Sequence, residues 1–222
     1  MNGLSLPSRA AAWRIARVAA AASLALALSA CAALFDTRET LAIWRIDAVP
    51  AAPAGDPVAW QLAVDEPTAA EPLDGARIVL APGGGEFGVY RGARWGERAP
   101  RLLQDLLLRS LADSGRIAGL GRGTDGVRAD YRLLVDLRAF HVEADAGQAR
   151  IALSARLLRW PDGSVVAAQA FEAEAPVARG GIPAVVAAFE SASAELVPAL
   201  AAWTLAQGEA DHAQRAAARG AP

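Results

Sequence analysis

The residue with the most definite chemistry is Cys31, the only cysteine among 222 residues. It closes the stretch Leu28-Ser29-Ala30-Cys31, with leucine three positions before the sulfur and two small residues between. That spacing is the lipobox of bacterial lipoproteins, in which the chain is cut before the cysteine and its thiol carries a thioether-linked lipid. The upstream sequence agrees. Met1–Arg17 holds Arg9, Arg14 and Arg17 and no acid, and the thirteen residues Val18–Ala30 are uncharged and almost all Ala and Leu. This is the basic n-region and short h-region of a secretory signal. Thirteen residues fall short of the roughly 20 a spanning helix needs. The arginines are not adjacent, which fits general secretion rather than a twin-arginine route.

Other groups that could do chemistry are sparse. His141 and His212 are the only histidines, and no HxH or HxxxH pairing exists to hold a metal. No serine sits in a G-x-S-x-G elbow, so a nucleophile beside a base is not legible. Gly83/Gly85/Gly88 and Gly121/Gly123/Gly126 match G-x-G-x-x-G by letter. A phosphate-binding loop must lead into a helix N-terminus, and strand-like sequence follows both clusters, so they read as turns. With Cys31 acylated, no thiol, disulfide or cysteine metal ligand remains. The expectation is a protein that is not an enzyme, with no catalytic residue, no metal, and no cofactor beyond the covalent lipid on Cys31.

Removing 30 residues leaves 222 − 30 = 192, enough for one domain and a tether. All 24 acids lie after Cys31 and three of the 22 arginines leave with the signal, so the mature net charge is 19 − 24 = −5. That balance speaks against nucleic acid as a partner and against anionic membrane surfaces.

The elements that position these groups read as a chain of strands with two helices. Strands are expected at 41–46, 58–64, 76–80, 87–91, 130–142, 149–157 and 165–174. Ala48–Pro57 reads as a loop and Asp65–Asp74 as a solvated connection. Tyr131, Leu133, Val135 and Leu137 share one strand face, as do Ala149, Ile151, Leu153, Ala155 and Leu157. Trp160-Pro161-Asp162-Gly163 is a turn signal between the last two strands. The first helix should run from about Arg98 to Ser114, with Pro100 in its first turn, Gly115 at C′ and a leucine stripe at 102, 103, 106, 107 and 111. The second begins near Ile182-Pro183, is interrupted at Pro198 and loses its pattern at Gly208. The fold class is therefore α+β: two layers, a largely antiparallel sheet with two main helices packed on one face. Residues 1–30 are signal peptide, 31–39 tether, 40–208 the folded domain and 209–222 a mobile tail. Trp95 and Trp203 are core candidates. Trp160, at a hairpin tip, is the candidate partner contact, because exposed tryptophan is enriched at interfaces.

One family shares this order of features. Trp95-x-Glu97-x-x-Pro100-Arg101-Leu102-Leu103-Gln104-x-x-Leu107 leads into the first helix, followed by Asp130-Tyr131-x-Leu133-x-Val135-x-Leu137-x-x-Phe140, the 149–157 strand, 168–176 with Phe171, and a last helix closing on Trp203. Behind a lipobox, this arrangement resembles the ABC-type transport auxiliary lipoproteins, the PqiC-like family. The resemblance implies a non-enzymatic lipoprotein at the periplasmic face of the outer membrane. Its implied partners are an MCE-domain protein and inner-membrane ABC transporter components that move lipids between the membranes. Ala32 is not the aspartate that retains enteric lipoproteins in the inner membrane, which favours the outer membrane. The residues themselves leave other readings open: a periplasmic regulator of an envelope-building enzyme such as a cell-wall synthase, a domain that binds lipid between sheet and helices, and a homo-oligomer.

Overall fold

The computed structural model describes residues 41–220 apart from 48 and 127, so the lipobox, Cys31 and the tether lie outside the described residues. The organising element is β7 (Tyr131–Glu143), a 13-residue strand that borders neighbours along both edges. On one edge it pairs antiparallel over its whole length with β8 (Gln148–Arg159), which pairs antiparallel with β9 (Val165–Pro176). Three short strands follow one another along the other edge, all parallel to it: β2 (Leu62–Val64), β3 (Thr68–Ala69) and β4 (Arg77–Gly83). The sheet is completed by β5 (Glu86–Trp95) antiparallel to β4, by β1 (Ala42–Trp44) parallel to β5, and by β6 (Leu120–Arg122) parallel to β2.

Alternation dictates which face is dry. Tyr131, Leu133, Val135 and Leu137 point inward, and a register shift between Leu137 and Ala139 brings Phe140 and Val142 to the same face. Opposite them, Ala149, Ile151, Leu153, Ala155 and Leu157 are buried, as their spacing predicts.

The helices cover that face. α1 (Ala99–Asp113) starts with Pro100 in its first turn and ends at Gly115, whose φ of +68° is the left-handed conformation a helix C′ position favours. Its stripe Leu102, Leu103, Leu106, Leu107 and Leu111 is buried. Each such leucine contributes about 1.5–3 kcal/mol of burial. The N-terminal part of α2 (Ile182–Gly220) brings Phe189 against Trp95 and Phe140, with ring centroids 5.3 and 4.8 Å away.

The fold class is as expected, with three differences in detail. The sheet has nine strands rather than about seven, because β3 and β6 are two and three residues long and too short to show a period. The largely antiparallel sheet also contains parallel pairings, those of β2, β3 and β4 along β7. Finally, α2 does not end at Gly208 but continues as helix to Gly220. Gly208 is a packing feature of the helix: a Cβ there would stand 2.5 Å from Cζ2 of Trp60. Trp60 is buried and lies edge-on to Tyr131 at 5.1 Å. The indole occupies the space that any larger residue at 208 would need.

Candidate docking site

The end of the sheet that carries Trp160 is built from three separate stretches of chain. In the turn between β8 and β9, Asp162 Oδ1 accepts hydrogen bonds from the Ser164 amide at 2.9 Å and the Ser164 hydroxyl at 2.8 Å. Those bonds hold the Asp162 carboxyl below the usual carboxylate range. Gly163, with φ of +72°, closes the turn on Arg159 O. The Trp160 amide donates to Asp130 O at 2.8 Å, tying the turn to the start of β7. The indole is 44% exposed, and the Arg132 guanidinium lies 4.8 Å from its ring centroid. Arg132 is itself held by Asp65, at 2.6 Å from Nη2 and 3.2 Å from Nε. A cation–π contact at an exposed site contributes about 0.5–1 kcal/mol, enough to orient the ring.

Beneath the turn, Arg159 reaches to α2. Its Nη2 donates to Asp211 Oδ1 and its Nε to Oδ2, and Oδ2 also accepts the Tyr131 hydroxyl bond at 2.8 Å. Asp211 and Tyr131 are both buried. The Arg159 hydrogen bond lowers the Asp211 pKa, while burial first and the Asp211 carboxylate second push the Tyr131 phenol up to about 12. A second link, Arg116 to Glu209 at 2.6 Å, joins the same part of α2 to the segment after α1. The exposed indole therefore stands on a braced platform.

Among the described residues, two of the hollows open at the surface exceed 300 Å³. One of about 470 Å³ runs between α1 and β6, lined by Leu108, Ala112, Leu120 and the Asp105–Arg122 ion pair at 2.5 Å. The other, about 350 Å³, lies over β7, β8 and β9 beside His141, Arg150 and Phe171. The space between the sheet and α1 is filled by the leucine stripe.

The remaining sequence candidates are not assembled into a reactive cluster. His141 lies on β7 under the edge of Phe87, at 5.5 Å, and burial lowers its pKa, so its imidazole is neutral near pH 7. His212 is on α2. Among the described residues no group of three or more His, Cys, Asp or Glu side chains could hold a metal ion. Gly83, Gly84 and Gly85 form the β4–β5 hairpin turn with φ of 102°, 65° and 83°, and Gly121 is within β6, so neither cluster opens a helix. Asp211, the hub of the platform, is not marked by any sequence motif. Its one visible signal is an acid on the same helical face as Thr204 and Gly208, three and four positions apart.

The family model for the ABC-type transport auxiliary lipoprotein component matches residues 45–201. The chain belongs to this family. The matched span runs from just after β1 to the middle of α2, so the auxiliary lipoprotein domain includes Trp160, Arg132 and Arg159, while Asp211 lies beyond it. Among solved structures, a Xanthomonas campestris protein is 37% identical with a TM-score of 0.70, covering 77% of this chain and 98% of that one. An uncharacterized protein at 16% identity shares the fold with a TM-score of 0.57, covering 73% of this chain and 97% of that one. An uncharacterized protein of Bradyrhizobium diazoefficiens is 34% identical over 155 residues, 69% of this chain. The auxiliary lipoprotein spans 41% of the length of that curated relative.

Proposed function

We propose that this auxiliary lipoprotein is an adapter anchored in the periplasmic face of the outer membrane, serving an MCE-type ABC system that moves lipids between the inner and outer membranes. The observation that carries the reading is the order of features: a lipobox at Cys31 and, directly downstream, a domain of the transport auxiliary family over residues 45–201. Ala32 after the lipidated cysteine supports outer-membrane sorting. The domain acts by docking rather than catalysis. The lipid on Cys31 holds it at one membrane, and its folded surface meets the MCE-domain protein and the inner-membrane transporter components.

Trp160 is the contact assigned to that partner. An aromatic ring braced by Arg132 gives up little conformational freedom on binding, which is the property of an interface anchor. The test is affinity capture of the native lipoprotein from detergent-solubilised membranes, with identification of what accompanies it. An MCE-domain protein with its permease and ATPase supports the adapter. A cell-wall synthase in their place, in repeated captures, contradicts it.

A further inference from the structure

The net charge of −5 for the mature chain conceals an uneven distribution. Half of the described arginines are paired with carboxylates, among them Arg98, Arg101, Arg122, Arg132, Arg150 and Arg159. Arg77, Arg91 and Arg94 have none among the described residues, and they stand together. Arg77 and Arg94 are direct partners in the β4–β5 ladder, so two guanidinium side chains share one face at adjacent positions. Like charges opposite each other in a ladder are destabilising. Arg91 joins them on the exposed side of β5, three residues before Arg94 across the Gly92 bulge, where φ is +67°. The Arg94 Nε is buried and has no hydrogen-bond partner. Such a cluster is relieved by an external anion.

Apolar groups surround it. Ile43 of β1 pairs in register with Arg94 and is 61% exposed. Phe87 and Val89, earlier on β5 and alternating with half-buried residues, are 47% and 41% exposed. The helices pack against the opposite face of the sheet. Large apolar side chains beside unpaired arginines fit the boundary between phospholipid headgroups and acyl chains.

The connection to the anchor is short. Only nine residues, 32–40, separate Cys31 from Leu41 at the start of this surface. Fully extended, that segment spans at most about 35 Å. This inference rests on the anchor reading given above. We propose that the surface formed by Arg77, Arg91, Arg94, Ile43, Phe87 and Val89 lies against the phospholipid bilayer that holds the anchor. The guanidiniums take the phosphates of anionic headgroups and the three apolar side chains enter the interface. The domain is thereby oriented as well as tethered, with β1, β4 and β5 toward the membrane. The low overall charge is no obstacle, because interactions beyond a Debye length of roughly 8 Å are screened and the local patch decides.

The test uses the full lipidated protein, reconstituted in vesicles of phosphatidylcholine alone or of equal parts phosphatidylcholine and phosphatidylglycerol. A fluorophore is placed at Val89→Cys or, as a control on the exposed side of α2, at Ala206→Cys; the acylated Cys31 leaves each introduced thiol as the only reactive one. Quenching by a nitroxide on the lipid headgroup is then read. The expected result is strong quenching at 89 and little at 206 in phosphatidylglycerol vesicles. Replacing Arg77, Arg91 and Arg94 by Glu should lower the face-down population by on the order of fivefold per arginine, and added salt should act in the same direction. Single Arg→Gln variants with native circular dichroism serve if the triple variant does not fold. Equal quenching at the two positions, or quenching at 89 that is indifferent to both the arginines and phosphatidylglycerol, overturns the proposal. Flotation with neutral vesicles reports the anchor separately. A chain that fails to float contradicts the anchor, and adding the same vesicles to that chain still reads the patch.

Discussion

The hydroxyl of Tyr131 donates a 2.8 Å hydrogen bond to the carboxylate of Asp211, 80 residues further along the chain. The bond joins the first residue of β7 to the last third of α2, and Arg159 at the end of β8 grips the same carboxylate. Three elements thus converge on one buried acid beneath the Trp160 turn.

Removing that acid should loosen all three. In Asp211→Asn the carboxamide keeps the shape but loses the charge, leaving Arg159 and the Tyr131 hydroxyl poorly matched. The Asp211 side chain is 9% exposed and that of Arg159 27%, so part of the loss is recovered by water at the arginine. The expected destabilisation is about 2 kcal/mol, read as a shift in the urea midpoint with an unchanged slope.

The same pair sets a pH window. The folded-state pKa of Asp211 is depressed, so its contribution is present above its unfolded value of 3.8 and fades as pH falls below it. The folded-state pKa of Tyr131 is raised from 10.0 to about 12, so its contribution is present below pH 10.0 and fades as pH rises toward 12. Tyr131→Phe should remove the tyrosine component of the alkaline loss while leaving an acid loss. A variant whose alkaline limb matches that of the unaltered protein would show that the phenol is not coupled to folding.

Gly208→Ala opposes two effects. Alanine improves helix propensity by about 1 kcal/mol, but its Cβ would meet the Trp60 ring. Overpacking a closed core costs about 1–3 kcal/mol, and the ring has little room because it is buried against Tyr131. Net destabilisation of about 1 kcal/mol is expected, with altered Trp fluorescence. In the Trp60→Phe background the same substitution should become neutral or stabilising, and a double-mutant cycle checks this.

This glycine illustrates what was legible in the sequence. The leucine stripe of α1 and the alternation of β7 and β8 are set by local periodicity, and those elements were readable from the residues alone. Gly208 carries no local sign that distinguishes a helix end from a helix in close contact with an indole far back in the chain. Read locally it is a stop, whereas in the fold it is a contact. Asp211 was hidden for the same reason, since its partners lie 52 and 80 residues away. Strands were readable at 58–64 and 76–80, but the parallel placement of β2, β3 and β4 along β7 is a long-range pairing that no local period reports, and β3, at two residues, is too short to show one. Trp160 was legible as the tip of a turn, and its exposure follows from that. Its bracing by Arg132 was not, because it depends on Asp65 arriving from a different strand connection.

Trp160→Ala should separate docking from folding. The ring is 44% exposed and its loss removes one cation–π contact, so stability should fall by about 1 kcal/mol or less. Recovery of the transport partner in affinity capture should drop by at least tenfold, as truncation of an anchor residue contributing about 1.4 kcal/mol or more predicts. Undiminished capture would move the docking surface elsewhere, with the hollow between α1 and β6 the next to probe.

The account depends most on the tether at Cys31, and membrane fractionation of Cys31→Ala tests it directly. The domain needs no cysteine for its core, so the variant should fold, lose the outer-membrane fraction for a soluble or unprocessed pool, and fail to restore transport in a deletion strain. A Cys31→Ala chain that still fractionates with the outer membrane and complements the deletion would contradict the tethered-adapter account.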